Sequence, residues 1–81
     1  MQCFIYRSSK KTDTYIYLSD EDKKNNLPED LNKLLGRLEF VMELDLEKIK
    51  RLQNADIEEV KFNLNDAGFY IQLPRELHVS V

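Results

Sequence analysis

The stretch "IYRSSKKTDTYIYL", residues 5–18, decides how the chain begins to fold. Aromatic and β-branched residues, which favour extended structure, flank a polar and basic centre. We therefore predict a β-hairpin with strands over residues 2–6 and 14–18 and a turn over residues 8–12. Both strands are apolar on both sides, a pattern typical of strands that are covered on both faces of a sheet.

The sequence after the hairpin first predicts a short helix and a strand. Residues 19–26 are polar and their charges nearly cancel, which indicates a solvated loop. Pro28, two acidic residues and a leucine stripe then predict a helix of about two turns that ends at Gly36. Alternation of apolar and polar residues predicts a strand over residues 38–44.

Two further helices and a last strand complete the predicted order. Asp45 is a favourable N-cap for a helix over residues 45–53. Asp56, with a glutamate three residues later, matches a capping box for a third helix that stops at Gly68. Alternation then predicts a strand over residues 69–73. The order β-β-α-β-α-α-β predicts an α+β fold: a four-stranded, mostly antiparallel sheet with helices packed on it.

Composition limits the function classes. With 81 residues, 42% hydrophobic and 33% charged, the chain is expected to form one globular domain over residues 1–81. The net charge of −3 argues against whole-surface attraction to nucleic acid or anionic membrane. Neither a transmembrane run nor a signal peptide is evident, so we expect a cytoplasmic protein without a membrane partner. The single cysteine, Cys3, excludes an internal disulfide and predicts a buried, inert thiol.

Three fragments together resemble one family. The fragments "CFIYRSSKKTDTYIYL", "LPEDLNKLLG" and "NADIEEVKFNLNDAGFYIQLP" resemble signature segments of the YcgL domain, a small bacterial domain, over residues 2–74. The resemblance implies a small α/β domain with helices packed on a sheet of unusual topology. It implies no activity and carries over no catalytic residue. The chain departs from the family pattern in its short tail after Pro74 and in having Leu35 where phenylalanine is common.

The basic hairpin turn is the main candidate for a binding site. Its charges, hydroxyls and turn N–H groups can hold an anion, and nearby tyrosines can stack on a base. The predicted ligand is another protein, or an RNA or nucleotide phosphate. The alternative is a solvated turn in which the arginine pairs with Asp13 and the tyrosines pack under helices. The candidate residues are Arg7, Ser8, Ser9, Lys10, Lys11, Tyr15 and Tyr17, with Tyr70 and Gln72 as a second, weaker recognition surface.

No catalytic set is evident in the sequence. Glu39 and Glu43 are predicted on one strand face about 13 Å apart, too far for paired carboxylate catalysis. His78, the only histidine, has no identifiable nucleophile or orienting partner. We therefore expect a non-enzymatic binding or adaptor domain without cofactor or metal. The alternatives are a small hydrolase whose site is not evident, and a purely structural, homo-oligomeric module.

Overall fold

The computed structural model describes residues 1–49, 52 and 55–73. The predicted strands are all present, and so are the first and last predicted α-helices. The elements in chain order are β1 (Gln2–Ser8), β2 (Tyr15–Leu18), a 3₁₀ helix (Glu21–Asn25), α1 (Glu29–Leu35), β3 (Leu38–Asp45), α2 (Ile57–Asp66) and β4 (Phe69–Gln72).

The four strands form one sheet in the order β3-β1-β2-β4, and every neighbouring pair is antiparallel. This arrangement confirms the predicted α+β fold and its four-stranded antiparallel sheet. The hairpin strands β1 and β2 occupy the centre of the sheet, a position that agrees with their apolar character on both faces. Among the described residues, β3 and β4 are the outer strands.

The two helices pack on opposite faces of this sheet, because side chains of each strand alternate between its faces. We call these the α2 face and the α1 face. The buried residues of the α2 face are Cys3, Ile5, Tyr17, Leu46, Val60 and Leu64. The buried residues of the α1 face are Tyr6, Ile16, Leu18, Leu27 and Leu35.

The helix boundaries follow the predicted signals closely. The side chain of Asp56 accepts a hydrogen bond from the backbone N–H of Glu58 at the start of α2. Pro28 precedes α1 as its N-cap instead of forming its first residue. Gly36 ends α1 with φ 70° and ψ −147°, a conformation that essentially only glycine adopts.

The prediction of a helix over residues 45–53 is wrong for residues 45–48, where the structure describes the end of β3 and a turn. Asp45 is the last residue of β3, and the Leu46 N–H donates to the Met1 carbonyl (2.8 Å), which holds the chain beside β1. The Asp45 carboxylate accepts from the Glu47 N–H (3.0 Å) and closes a turn over residues 46–48. The same side-chain bond caps helices and closes Asx turns, so the local sequence does not distinguish the two. Part of the predicted helix lies outside the described residues.

The loop predicted over residues 19–26 contains the 3₁₀ helix (Glu21–Asn25). Its start is capped by Asp20, whose side chain accepts from the Asp22 N–H (2.9 Å). A 3₁₀ helix this short needs little apolar surface, so residues 19–26 show no hydrophobic periodicity that would predict it.

The prediction that Glu39 and Glu43 share a strand face is also wrong. Ile5 pairs with Met42 whereas Tyr6 pairs with Phe40, so β3 carries one extra residue, Val41, at a β-bulge. The extra residue reverses the alternation of side chains along β3. One glutamate therefore lies on the α2 face and the other on the α1 face.

Candidate functional site at the basic hairpin

The turn between β1 and β2 docks on the C-terminal end of α1, and Ser8 makes the central contacts. Its buried hydroxyl donates to the Leu35 carbonyl (2.7 Å) and accepts from the N–H groups of Lys10 (3.2 Å) and Lys11 (2.9 Å). One side chain thus satisfies a terminal helix carbonyl and closes the turn. The Ser8 hydroxyl is therefore buried and already bonded within the fold.

Neighbouring turn residues strengthen this junction. The Ser9 N–H donates to the Arg37 carbonyl (3.1 Å). The ammonium group of Lys10 donates to the Lys33 carbonyl (2.9 Å), a favourable place for a cation because helix C-termini are negative. A Cβ at Gly36 would lie 2.7 Å from Lys10 Cγ, so the missing side chain allows the close approach.

Arg7 pairs with Glu39 instead of Asp13, the predicted alternative. The two residues are cross-strand neighbours of β1 and β3, and Arg7 Nη2 lies 2.6 Å from Glu39 Oε1. The hydrogen bond between them, followed by their charge attraction, raises the pKa of Arg7 and lowers the pKa of Glu39. Both side chains are about half exposed, so the pair is accessible but already neutralised.

The candidate tyrosines lie on the α2 face. Tyr17 is buried, and its hydroxyl donates to Gln72 Oε1 (2.6 Å) while its ring meets that of Tyr70 edge to face at 5.7 Å. Burial is the main cause that raises the pKa of Tyr17 to about 12. Tyr70 is partly buried, and its hydroxyl donates to Glu59 Oε1 (3.4 Å). Tyr15 is also partly buried and lies beside Arg7 across the strands.

The sheet therefore divides the predicted site into two halves. Lys11 lies with α1-face residues such as Leu35 and Ile71, whereas the tyrosines lie on the opposite face. A phosphate held by Lys11 and a base stacked on Tyr15 would not share one surface. Ligand binding by these residues stays a prediction.

An apolar groove of about 320 Å³ lies beside the hairpin on the α1 face. Its lining is mainly apolar and includes two threonines and one lysine. The sequence analysis did not predict this groove. The available signal was a leucine of α1 that is not buried, because Leu34 is 47% exposed. The lining residues are Lys11, Thr12, Thr14, Leu34, Leu35, Ile71 and Leu73.

The same junction concentrates positive charge in an acidic protein. Residues 7–13 and 33–39 meet through the hydrogen bonds described above, and together they carry more basic than acidic side chains. We call this region the hairpin end. Its basic residues are Arg7, Lys10, Lys11, Lys33 and Arg37, and its acidic residues are Asp13 and Glu39.

Other chemistry is limited in the described part of the chain. Cys3 is buried as predicted, and burial raises the pKa of its thiol to about 11, which keeps it protonated. In residues 1–49, 52 and 55–73 no three metal-ligating side chains cluster. No helix among these residues is long and apolar enough to span a membrane. His78 lies outside the described residues.

Comparison with known proteins gives a consistent family. The YcgL domain model matches residues 3–75. A YcgL domain-containing protein of Proteus mirabilis is 49% identical over 74 residues, which cover 91% of this chain and 76% of that relative. Protein YcgL of Escherichia coli is 47% identical over 74 residues, covering 91% of this chain and 68% of that relative. The chain therefore belongs to the YcgL domain family.

Proposed function

We propose that this YcgL domain is a non-enzymatic binding domain that recognises an acidic, partly apolar segment of a partner protein at the hairpin end. The observation that carries the proposal is the apolar groove with Lys11 at its rim. Its volume of about 320 Å³ suits one or two apolar side chains of a partner. We also propose a cytoplasmic location, because a reducing compartment maintains a free thiol such as Cys3.

The chemistry of the groove favours a partner with both apolar and acidic groups. Binding is favoured when an apolar side chain of the partner leaves water and packs on Leu34, Ile71 and Leu73. A neighbouring carboxylate then lies within reach of Lys11, and the surrounding basic residues steer the acidic segment towards the hairpin end. The Thr14 hydroxyl donates to the Thr12 carbonyl (3.2 Å), so the rim is held in shape.

A protein partner fits this site better than RNA or a nucleotide. The ammonium group of Lys10 and the guanidinium of Arg7 are already engaged, by a helix carbonyl and by Glu39. The tyrosines that would stack on bases lie on the opposite face of the sheet. The lining of the groove offers apolar contact but no aromatic surface for a base.

The test is an amide chemical-shift titration of ¹⁵N-labelled protein at low salt. The probes are a peptide with leucine between two aspartates, the same peptide with lysines in place of the aspartates, a short single-stranded RNA and inorganic phosphate. We expect the acidic peptide to shift amides of Lys11, Thr12 and Leu34 and the basic peptide to leave them unchanged. Binding of RNA or phosphate in preference to the acidic peptide would contradict a protein ligand.

Charge reversal at the rim provides the matched control. Lys11→Glu should weaken the acidic peptide at least about tenfold, since a charge-assisted contact becomes a repulsion. Lys48→Glu changes the same charge on an exposed turn away from the groove and should leave affinity within about twofold. Equal effects of the two variants would show attraction by net charge alone and would refute a site at the groove.

A further inference from the structure

Among the described residues, β3 is the outer strand at the sheet edge opposite to β4, whose Ile71 lines the groove, and it carries an exposed apolar cluster. Phe40 is 56% exposed, Val41 45% and Met42 44%, and the three residues are consecutive. Single exposed apolar residues are ordinary, but a contiguous group at the rim of a sheet marks an interaction surface. We call residues 40–42 the β3 cluster.

The β-bulge makes this cluster wrap around the edge of the sheet. Phe40 lies on the α1 face, where its ring meets Tyr6 edge to face at 5.5 Å. Met42 lies on the α2 face beside Ile5. A partner that covers both must therefore reach both faces, which an added strand does because its side chains alternate.

The charge of β3 indicates which strand would fit. The strand Leu38–Asp45 has three acidic residues and no basic one. Arg7 neutralises Glu39, and the N-terminal ammonium group lies 3.6 Å from Asp45 Oδ1. Glu43 instead accepts a hydrogen bond from the neutral side chain of Gln2, so among the described contacts its charge meets no cation.

We propose that the β3 edge binds a short extended segment of a second partner protein by strand addition, the segment being apolar and flanked by lysine or arginine. Opposite charges on facing strands stabilise pairing, and like charges oppose it. A second copy of this chain is the poorer occupant because β3 would bring acidic residues against acidic residues. The bulge at Val41 limits regular pairing to a few residues on each side, so the segment is short.

This surface is independent of the groove and extends the proposed function to that of an adaptor. The groove adjoins β4, and the strands β1 and β2 lie between β4 and β3. Two partners of opposite charge can thus occupy opposite edges of the sheet together. Failure of binding at the groove would leave binding at β3 untouched, and the reverse also holds.

The experiment uses two seven-residue peptides with five apolar, β-branched residues in the centre, one with lysine at both ends and one with glutamate at both ends. We expect the lysine-ended peptide to shift amides of residues 40–45 in the ¹⁵N-labelled protein, the part of β3 outside the hairpin end. Glu43→Lys should weaken this peptide about three- to tenfold and make the glutamate-ended peptide the better ligand. Asp66→Lys, the same charge reversal at the end of α2, should change neither affinity.

Each alternative outcome would overturn the proposal. Shifts outside β3, no shift with either peptide, or a charge preference that survives Glu43→Lys would exclude strand addition by a basic segment. A dimer in light scattering that persists with the lysine-ended peptide would identify a second copy as the occupant. Lys11→Glu serves as the groove control, and a loss of β3 binding in that variant would refute the independence of the two edges.

Discussion

Replacing Ser8 with alanine tests the junction between the hairpin and α1. The Ser8 side chain is buried and makes three hydrogen bonds, one to the Leu35 carbonyl and two from N–H groups of the turn. Each such bond contributes about 0.5–1.5 kcal/mol net, and a donor left without a partner costs more. The Lys11 N–H would lose its acceptor, whereas the Lys10 N–H also donates to the Leu35 carbonyl (3.4 Å). Ser8→Ala should therefore lower the free energy of unfolding by about 2–3 kcal/mol.

The neighbouring serine is the matched control. Ser9 is exposed, and the junction uses its backbone N–H but not its hydroxyl. Ser9→Ala removes the equivalent hydroxyl group of the next residue and should change the free energy of unfolding by no more than about 0.5 kcal/mol.

Urea denaturation followed by circular dichroism measures both variants. For a domain of this size, a loss of 2–3 kcal/mol corresponds to a fall in Tm of roughly 10–20 °C, so thermal melts provide a second readout. Equal stabilities of Ser8→Ala and Ser9→Ala would refute the reasoning. The hydroxyl bonds would then contribute no net stability, and the turn would be positioned by other contacts.

Three further changes test separate features. Gly36→Ala places a Cβ 2.7 Å from Lys10 Cγ in a glycine-only conformation and should cost about 1–3 kcal/mol in melts; an unchanged Tm would contradict the close approach. Tyr17→Phe removes the bond to Gln72 and should cost about 1 kcal/mol in urea, with a native spectrum. Burial raises the pKa of Cys3 from 9.0 to about 11, so the folded chain holds this proton more tightly than the unfolded chain. The stability that the protonated Cys3 thiol contributes is therefore complete below about pH 9 and is lost as the pH rises towards 11. The urea midpoint of Cys3→Ala should consequently depend less on pH over this window than that of the unchanged protein.

The central hairpin was predictable because its signal is local. Two runs of apolar residues around a polar turn specify the pairing, and apolar side chains on both faces indicate that both faces are covered. The cap at Asp56 and the stop at Gly36 depend likewise on neighbouring backbone groups. Such features survive folding unchanged because the contacts that make them are only a few residues apart.

Two predictions, the helix at Asp45 and the uniform alternation of β3, were wrong because residues distant in sequence make contacts there. The Asp45 side chain makes the predicted cap-like bond, but the Leu46 N–H finds the Met1 carbonyl and keeps the chain beside the sheet. The alternation of β3 is real on each side of Val41, yet the bulge that reverses it depends on pairing with β1. Periodicity within one segment carries no information about either event.

The basic turn shows that charge density alone does not reveal which polar side chains the fold already uses. Of its polar side chains, the Ser8 hydroxyl, the Lys10 ammonium and the Arg7 guanidinium are bonded to α1 or β3. The segments "RSSK" and "LLG" thus meet each other in the fold, where the Ser8 hydroxyl donates to the Leu35 carbonyl and Lys10 lies close to Gly36. What the contact builds is a different surface, the groove with Lys11 at its rim, to which Leu34 and β4 contribute. Variants at Lys11 therefore test recognition, whereas variants at Ser8 test the scaffold that forms the groove.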